Sequence, residues 1–230
     1  MMFQIPFHAL EACFRLKEAG AQPIIVGGWI RDLLMVHSGG SNDIDIEVFH
    51  ITFERLLQLF SKEPHIAFPK FGVLRWDHVH IDLSLPRIER CTGPKYNDFC
   101  TQIKPDLSFE EAGCRRDFTV NAIGWNLFTG ELLAPFQGLQ DIEKKVLKPI
   151  TEAFMEDSYR VLRAAQLIAR FNFIPHLQLL KFASQMSSER LSVKHIQDTK
   201  CILASAPPQE QALQFLKKIR WNTIVEAMKA

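Results

Sequence analysis

The chain has 230 residues, 47% of them hydrophobic and 23% charged, with 27 Lys+Arg against 26 Asp+Glu. These are ordinary values for a soluble globular protein, with enough chain for one large or two small domains. No apolar run approaches the ~20 residues that span a bilayer, so no membrane partner is expected. The N-terminal stretch has acids and no basic region ahead of its apolar residues, so no signal peptide is expected. Five cysteines, Cys13, Cys91, Cys100, Cys114 and Cys201, are scattered without CxxC spacing. That pattern argues against a zinc site or disulfide framework and for a reducing, cytoplasmic compartment. The charge is uneven: residues 1–150 balance at −3 and residues 151–230 at +4. The basic part could face a phosphate backbone, although such an excess is also an ordinary solvated surface.

In chain order, residues 6–19 are expected to form an amphipathic helix with Phe7, Leu10, Phe14 and Leu16 inward. Pro23 to Val26 reads as a buried strand, and Gly27-Gly28 breaks it. Trp29 to Val36 has helical spacing, with Arg31 and Asp32 in its first turn. Gly39 to Asn42 forms a loop, and Asp43 to Phe49 a second strand. Strand alternation puts Asp43 and Asp45 on one face and Ile44, Ile46 and Val48 on the other, against the core. Two carboxylates about 6–7 Å apart along a strand repel unless a cation lies between them. Such a pair can hold two hard divalent ions. Upstream, Gly27-Gly28 leaves backbone N–H groups bare at a helix start, where a phosphate binds well, and Arg31 adds charge. A lone Gly-Gly is a turn and a lone Asp-x-Asp a solvated loop edge. In the order strand, Gly-Gly, helix, loop, Asp-x-Asp, they make an apparatus for phosphoryl or nucleotidyl transfer by two metals.

Further on, helix 52–62 is expected to turn Phe53, Leu56, Leu57 and Phe60 to one side. Phe71 to Trp76 and Val79 to Leu85 read as paired strands joined at Asp77-His78. On the second, His78, His80, Asp82 and Ser84 share one face. Either this is a His-His-Asp metal site, or Asp82 supplies a third carboxylate near Asp43 and Asp45 while the histidines are sheet residues. Residues 86–107, with three Pro and one Gly, read as a long mobile loop. Ser108 to Glu111 is a capping-box pattern. A hairpin turns at Thr129-Gly130, a helix begins at Gly138, and from Glu152 the pattern is helical, broken near Pro175 and at Pro207-Pro208. The shift in composition near residue 150 divides the chain into 1–150 and 151–230.

The stretch from Ile24 to Phe49 resembles the signature of class II tRNA nucleotidyltransferases (CCA-adding enzymes) and bacterial poly(A) polymerases. Four further segments match. Arg87 to Asp98 resembles the segment before that family's flexible loop. Arg115-Arg116-Asp117 through Asn121-Ala122 resembles RRDFTxNA. Gly138 to Lys148 resembles the hinge motif GxxDLxxKxLR. Glu156-Asp157 through Arg160 and Arg163 resembles EDxxRxxRAA. The match covers residues 23–173.

The resemblance implies an α+β fold: a nucleotidyltransferase (polymerase β-like) mixed-sheet head in residues 1–150, then a helical neck in 151–230. It implies template-independent addition of C and A to a tRNA 3′ end from CTP and ATP, with Mg²⁺ in a two-metal site on Asp43 and Asp45 and Asp82 in the catalytic set. Gly27, Gly28 and Arg31 would hold phosphates. Arg116 would bind nucleotide, and Asp117 and Asn121 would grip the ribose. Asp157, Arg160 and Arg163 would read the base and brace it. Arg160 offers only donors and Asp157 only acceptors, a pattern that fits cytosine and, reoriented, adenine. Set against this, Asp117 with Asn121 could be helix capping plus an ion pair to Arg116, and Asp157 with Arg160 an (i, i+3) surface pair. Other readings are A-only, CC-only or poly(A) addition, and, from another class, a non-catalytic RNA-binding module. The chain departs from the family pattern at Gln166, where an Arg is expected, and at Lys194-His195, where Glu-Arg is expected. It also stops soon after the neck, so RNA contacts are expected from the basic helices after residue 150, and weak, salt-sensitive binding with them.

Overall fold

A computed structural model describes residues 5–36, 43–93, 98–206 and 209–229. The loop read at Gly39 to Asn42 and the break read at Pro207-Pro208 lie outside the described residues. The chain divides into two compact units of interleaved segments. The first comprises residues 1–89, 101–114 and 121–138; the second comprises 90–100, 115–120 and 139–230. Residues 90–100 and 115–120 thus belong with the C-terminal helices, although they precede residue 150.

The first unit is built on a mixed sheet. Helix α1 (Phe7–Glu18) precedes β1 (Gln22–Val26), α2 (Gly28–Val36), β2 (Ile44–Phe49) and α3 (Phe53–Leu59). Thr52 caps α3 by accepting from the Arg55 N–H, and Phe53, Leu56 and Phe60 are buried as their spacing requires. In α1 the inward face differs from the sequence expectation. Ala9, Ala12, Cys13 and Leu16 are buried, while Phe7 and Phe14 are 72% and 51% exposed. The series i, i+3, i+4, i+7 made of mostly small residues forms the seam, and the phenylalanines flank it. Phe14 instead meets the edge of Phe128, ring centroids 5.3 Å apart.

Strands β3 (Ile66–Phe68), β4 (Val73–Trp76) and β5 (Ile81–Ser84) follow. A ribbon of β6 (Arg87–Cys91) and β7 (Phe99–Ile103) stands where the sequence reads as a long loop. Helix α4 (Phe109–Gly113) starts with the expected capping box between Ser108 and Glu111. Then come β8 (Gly124–Trp125) and β9 (Leu132–Leu133), the hairpin anticipated around Gly130, whose φ is 73°. Among the described residues the strand order is β3-β4-β5-β2-β1-β8-β9, parallel at β2–β5 and antiparallel at the other junctions. One side of β1 and β2 buries Ile25, Ile44, Ile46 and Val48. On the other side Ile24, Val26 and Phe49 are closed over by Ala112 and Phe109 of α4. Gly124 lets that helix approach: a Cβ there would come 2.6 Å from Phe109 and 2.7 Å from Ile24.

The second unit is helical. It begins with α5 (Gly138–Glu143), β10 (Val146–Leu147) and a 3₁₀ turn, Glu152–Glu156. Its centre is α6 (Tyr159–Phe171), which buries Val161, Leu162, Ala164, Ala165, Leu167, Ile168 and Ala169. These buried positions spread over more than one side of the helix, so more than one neighbour must cover it, while Arg160, Arg163 and Arg170 stay outside the core. β11 (Ile174–Pro175) pairs in parallel with β10, then α7 (Leu177–Ser184), α8 (Val193–Ser205), α9 (Gln209–Lys218) and α10 (Asn222–Lys229) follow. α8 and α9 pack on α6. Ser192 caps α8 with His195 as its reciprocal partner. Among the described residues no helix is long and apolar enough to cross a membrane.

Candidate active site

Register fixes the geometry of the first unit. Val26, the last residue of β1, is the Cα partner of Asp45 in β2. The Gly27-Gly28 turn therefore stands at the same end of the sheet as Asp43 and Asp45. Gly27 has φ 79°, a left-handed conformation that other residues adopt only with strain. It turns the chain out of β1 directly into α2, its own N–H bonded to the Ile123 carbonyl and its carbonyl accepting from Arg31 N–H. The first N–H groups of α2 have no carbonyl one turn back, so they face the end of the sheet as donors.

Arg31 lies in that first turn, 5% exposed. Its Nε donates to Asp32 Oδ1 at 2.8 Å, and its other nitrogens reach Asp32 Oδ1 and Asn121 Oδ1. Asp32 thus offsets the positive charge. What Arg31 achieves geometrically is to tie the start of α2 to Asn121, 90 residues on.

Asp43 and Asp45 are exposed, and Ile44 between them is buried, as alternation requires. Asp43 Oδ1 lies 3.2 Å from His80 Nδ1. Asp82 is the Cα partner of Asp45 across the parallel pair, which puts the two carboxylates on one face. Its oxygens, however, are held by Arg75: Nε to Oδ1 and Nη2 to Oδ2, each 2.8 Å. The Asp82 carboxylate raises the Arg75 pKa further. The His-His-Asp alternative does not form. Asp77–Val79 is a 3₁₀ turn and His80 has φ 55°, so neither histidine continues the β5 face carrying Asp82. Among the described residues no group of three or more His, Cys, Asp or Glu side chains is arranged to hold a metal. Two exposed carboxylates nonetheless fit Mg²⁺, which takes one or two protein carboxylates and completes its shell with water and substrate phosphates.

The second unit holds the other predicted residues except Asn121. Segment 115–120 is stitched to the residues after α5: Thr119 N–H to the Lys148 carbonyl at 3.0 Å, and Thr119 Oγ1 to Asp141 Oδ2 at 2.6 Å. Asp117 and Asn121 do not sit on one helical turn, because only Thr119–Asn121 is helical, as 3₁₀. Asp117 accepts from Phe118 N–H at 2.9 Å and from Arg163 Nε at 2.6 Å. An ion pair joins it to Arg163, 46 residues away, and Asp117 raises the Arg163 pKa. Arg116 beside it is half-buried.

Asp157 and Arg160 do not pair as (i, i+3) neighbours. Asp157 Oδ1 accepts from Tyr159 N–H at 2.9 Å. Arg160 donates to the carbonyls of Ala153, 2.9 Å, and Arg115, 2.8 Å. Carbonyls hold the guanidinium in place without neutralising it.

Several residues in these networks were not singled out from sequence. Arg75 and Asn121's link to Arg31 are among them. So is Arg190, which donates to the carbonyls of Gly93, 2.8 Å, and Glu156, 3.3 Å. The departure at Gln166 also resolves: its Nε2 donates to Thr199 Oγ1 at 2.8 Å, and Thr199 donates to the His195 carbonyl. The Tyr159 and His195 rings stack 4.4 Å apart. A neutral bond and a stack join α6 to α8.

The chain is similar to two multifunctional CCA proteins. It is 35% identical over 150 residues to that of Stenotrophomonas maltophilia, covering 64% of this chain and 35% of the relative. It is 38% identical over 149 residues to that of Nitrosococcus oceani, covering 65% and 35%. The chain thus spans about a third of the curated relatives it matches. A solved tRNA-processing enzyme with CTP superposes with TM-score 0.71 at 25% identity, covering 94% of this chain and 57% of the other. The Bacillus stearothermophilus CCA-adding enzyme in complex with CTP has the same fold, TM-score 0.72 at 24% identity, over 93% of this chain and 52% of that one. A model of the poly(A) polymerase head domain matches residues 24–148, more than half of the sequence, and the chain belongs to that family.

Proposed function

We propose that the chain carries out template-independent nucleotidyl transfer, adding C and A residues from CTP and ATP to a tRNA 3′ end. The observation that carries this reading is the register of β1 on β2. It sets the Gly27-Gly28 helix start beside Asp43 and Asp45, at one end of one sheet. The relatives named for CCA addition, and the neighbour solved with CTP, support the choice of substrate.

In this reading residues 1–150 are the catalytic head and 151–230 a neck that binds base and RNA. Asp43 and Asp45 would hold Mg²⁺. When bound there, the ions supply Lewis-acid activation of the attacking 3′ hydroxyl and stabilisation of the leaving pyrophosphate. The N–H groups after Gly27 and Gly28 orient the triphosphate. In the first unit Arg31 positions Asn121 for a ribose hydroxyl; in the second Arg163 holds Asp117 in place and Arg116 adds a positive charge. Asp157 offers an acceptor and Arg160 donors to the base edge. The free thiols suit a reducing, cytoplasmic compartment.

The test is incubation with tRNAs ending before, within and after CCA, with each nucleotide alone and together. Addition of C, C and A in order, stopping after A, is the expected result. Addition of A alone, of C alone, or of an unlimited A tract would reassign the activity within the family. No incorporation with any nucleotide would overturn the enzymatic reading in favour of RNA binding.

A further inference from the structure

The row of paired residues across the sheet runs Asp45, Asp82, Arg75. Partners in adjacent strands project from the same face with Cβ atoms about 4.5–5.5 Å apart. One carboxylate of this row is exposed beside Asp43; the next is gripped at both oxygens by a guanidinium. A fork-on-fork pair with two 2.8 Å bonds is the strongest geometry available to Arg and a carboxylate. The guanidinium is held on a further side: its Cζ lies 5.7 Å from the centre of the Phe68 ring. Asp43 and Asp77 also lie close enough to act on it electrostatically. Arginine stays protonated throughout the working pH range, so the guanidinium keeps its charge and its donors.

We propose that Arg75 is a positioning residue that acts through Asp82: it withholds that carboxylate from the metal, so divalent ions are held by Asp43 and Asp45 alone. The inference rests on the reading of Asp43 and Asp45 as the metal site. A third carboxylate would displace water and bind the ion tightly without substrate. With Asp82 withheld, positions on the ion stay open to the triphosphate, and metal and nucleotide bind as coupled ligands. Removing Arg75 frees Asp82, already opposite Asp45, to coordinate.

The experiment measures Mn²⁺ affinity from the free-ion electron paramagnetic resonance signal, without nucleotide. It also counts metal-bound waters from Tb³⁺ luminescence lifetimes in H₂O and D₂O. In Arg75→Met, affinity should rise at least fivefold and the bound ion should lose at least one water. In Asp82→Asn with Arg75 intact, affinity should change by less than fivefold and hydration should not change. An unchanged hydration number in Arg75→Met, whatever its affinity, means Arg75 acts by charge alone and overturns the inference. So does a fivefold or greater loss in Asp82→Asn, which would place Asp82 on the metal already; this arm decides the matter even if Arg75→Met fails to fold. Asp45→Asn separates the two readings. If it binds Mn²⁺ like the wild type, the metal site itself is wrong and the inference falls with it. If Asp45→Asn loses Mn²⁺ while the Arg75 result fails, only the role of Arg75 is overturned.

Discussion

Thr199→Val should destabilise the helical unit by about 1–2 kcal/mol. Thr199 is fully buried, and its hydroxyl accepts from Gln166 Nε2 at 2.8 Å. Valine keeps the volume, so no cavity opens. The Gln166 amide, itself only 9% exposed, is left without that acceptor. A buried donor stripped of its partner costs about 1–3 kcal/mol, and the added methyl returns up to about 0.8. Gln166→Leu with Thr199→Val removes both ends of the bond, and replacing both partners by apolar groups is close to neutral. The double variant should therefore lie within about 1 kcal/mol of the wild type, well short of the additive total, as expected for directly contacting residues. Urea unfolding followed by far-ultraviolet circular dichroism gives all four corners of the cycle. If Thr199→Val lies within about 0.3 kcal/mol of the wild type, below the ordinary worth of one hydrogen bond, α6 is not braced through this contact.

Asp45→Ala should abolish nucleotide incorporation while its Tm holds or rises, since it removes an exposed carboxylate that repels its neighbours; near-normal incorporation at saturating Mg²⁺ would refute the assignment. Arg15 bonds to Glu63 and holds its carboxyl below the usual value of 4.5. A depressed pKa stabilises the fold above the unfolded value and is lost as pH falls through the folded one. The stability gap between wild type and Glu63→Gln should therefore be full at pH 7 and shrink below about pH 4.5; a gap that does not change with pH would refute it. Burial pushes the Cys13 thiol up to about 12. Cys100 and Cys201, both exposed, should label quickly with a thiol reagent at pH 8, and Cys13 only on unfolding.

The local signals were legible where the backbone itself demanded a residue type. Gly27 was readable because the strand-to-helix turn needs a left-handed φ, and Ser108 because capping is a contact three residues long. The ribbon of β6 and β7 was missed because its strands are half-buried and mixed in character, so neither face reads as an apolar stripe. Pro86 and Pro105 stand just outside those strands instead of interrupting them, where proline is compatible with a ladder. The hairpin of β4 and β5 was anticipated, but with a two-residue turn at Asp77-His78. The real connection is longer, ending at His80 in a left-handed conformation. That difference shifts the register by two, and it puts Asp82 instead of His80 opposite Arg75. The ion pair depended on a loop length, which residue pattern specifies poorly. The links from Arg31 to Asn121 and from Arg163 to Asp117 join segments 90 and 46 residues apart, and no local periodicity encodes them.

The interleaving of the two units sets when each can be completed as the chain emerges from the ribosome. β1 has two antiparallel neighbours, β2 at once and β8 about 100 residues later. Until residue 125 is available, β1 is an edge strand with its Ile25 and Val26 backbone unpaired on one side, the exposure that invites strand addition from another chain. The intervening chain includes residues 90–100 and 115–120, whose partners in the other unit, residues 139–230, are not yet made. No single cut releases either unit whole. A fragment ending at Cys114 would carry the carboxylates of β2 but lack β8, β9 and the Asn121 that anchors Arg31, so the smallest segment able to display the Gly27-Gly28 turn as it stands here extends through Leu133.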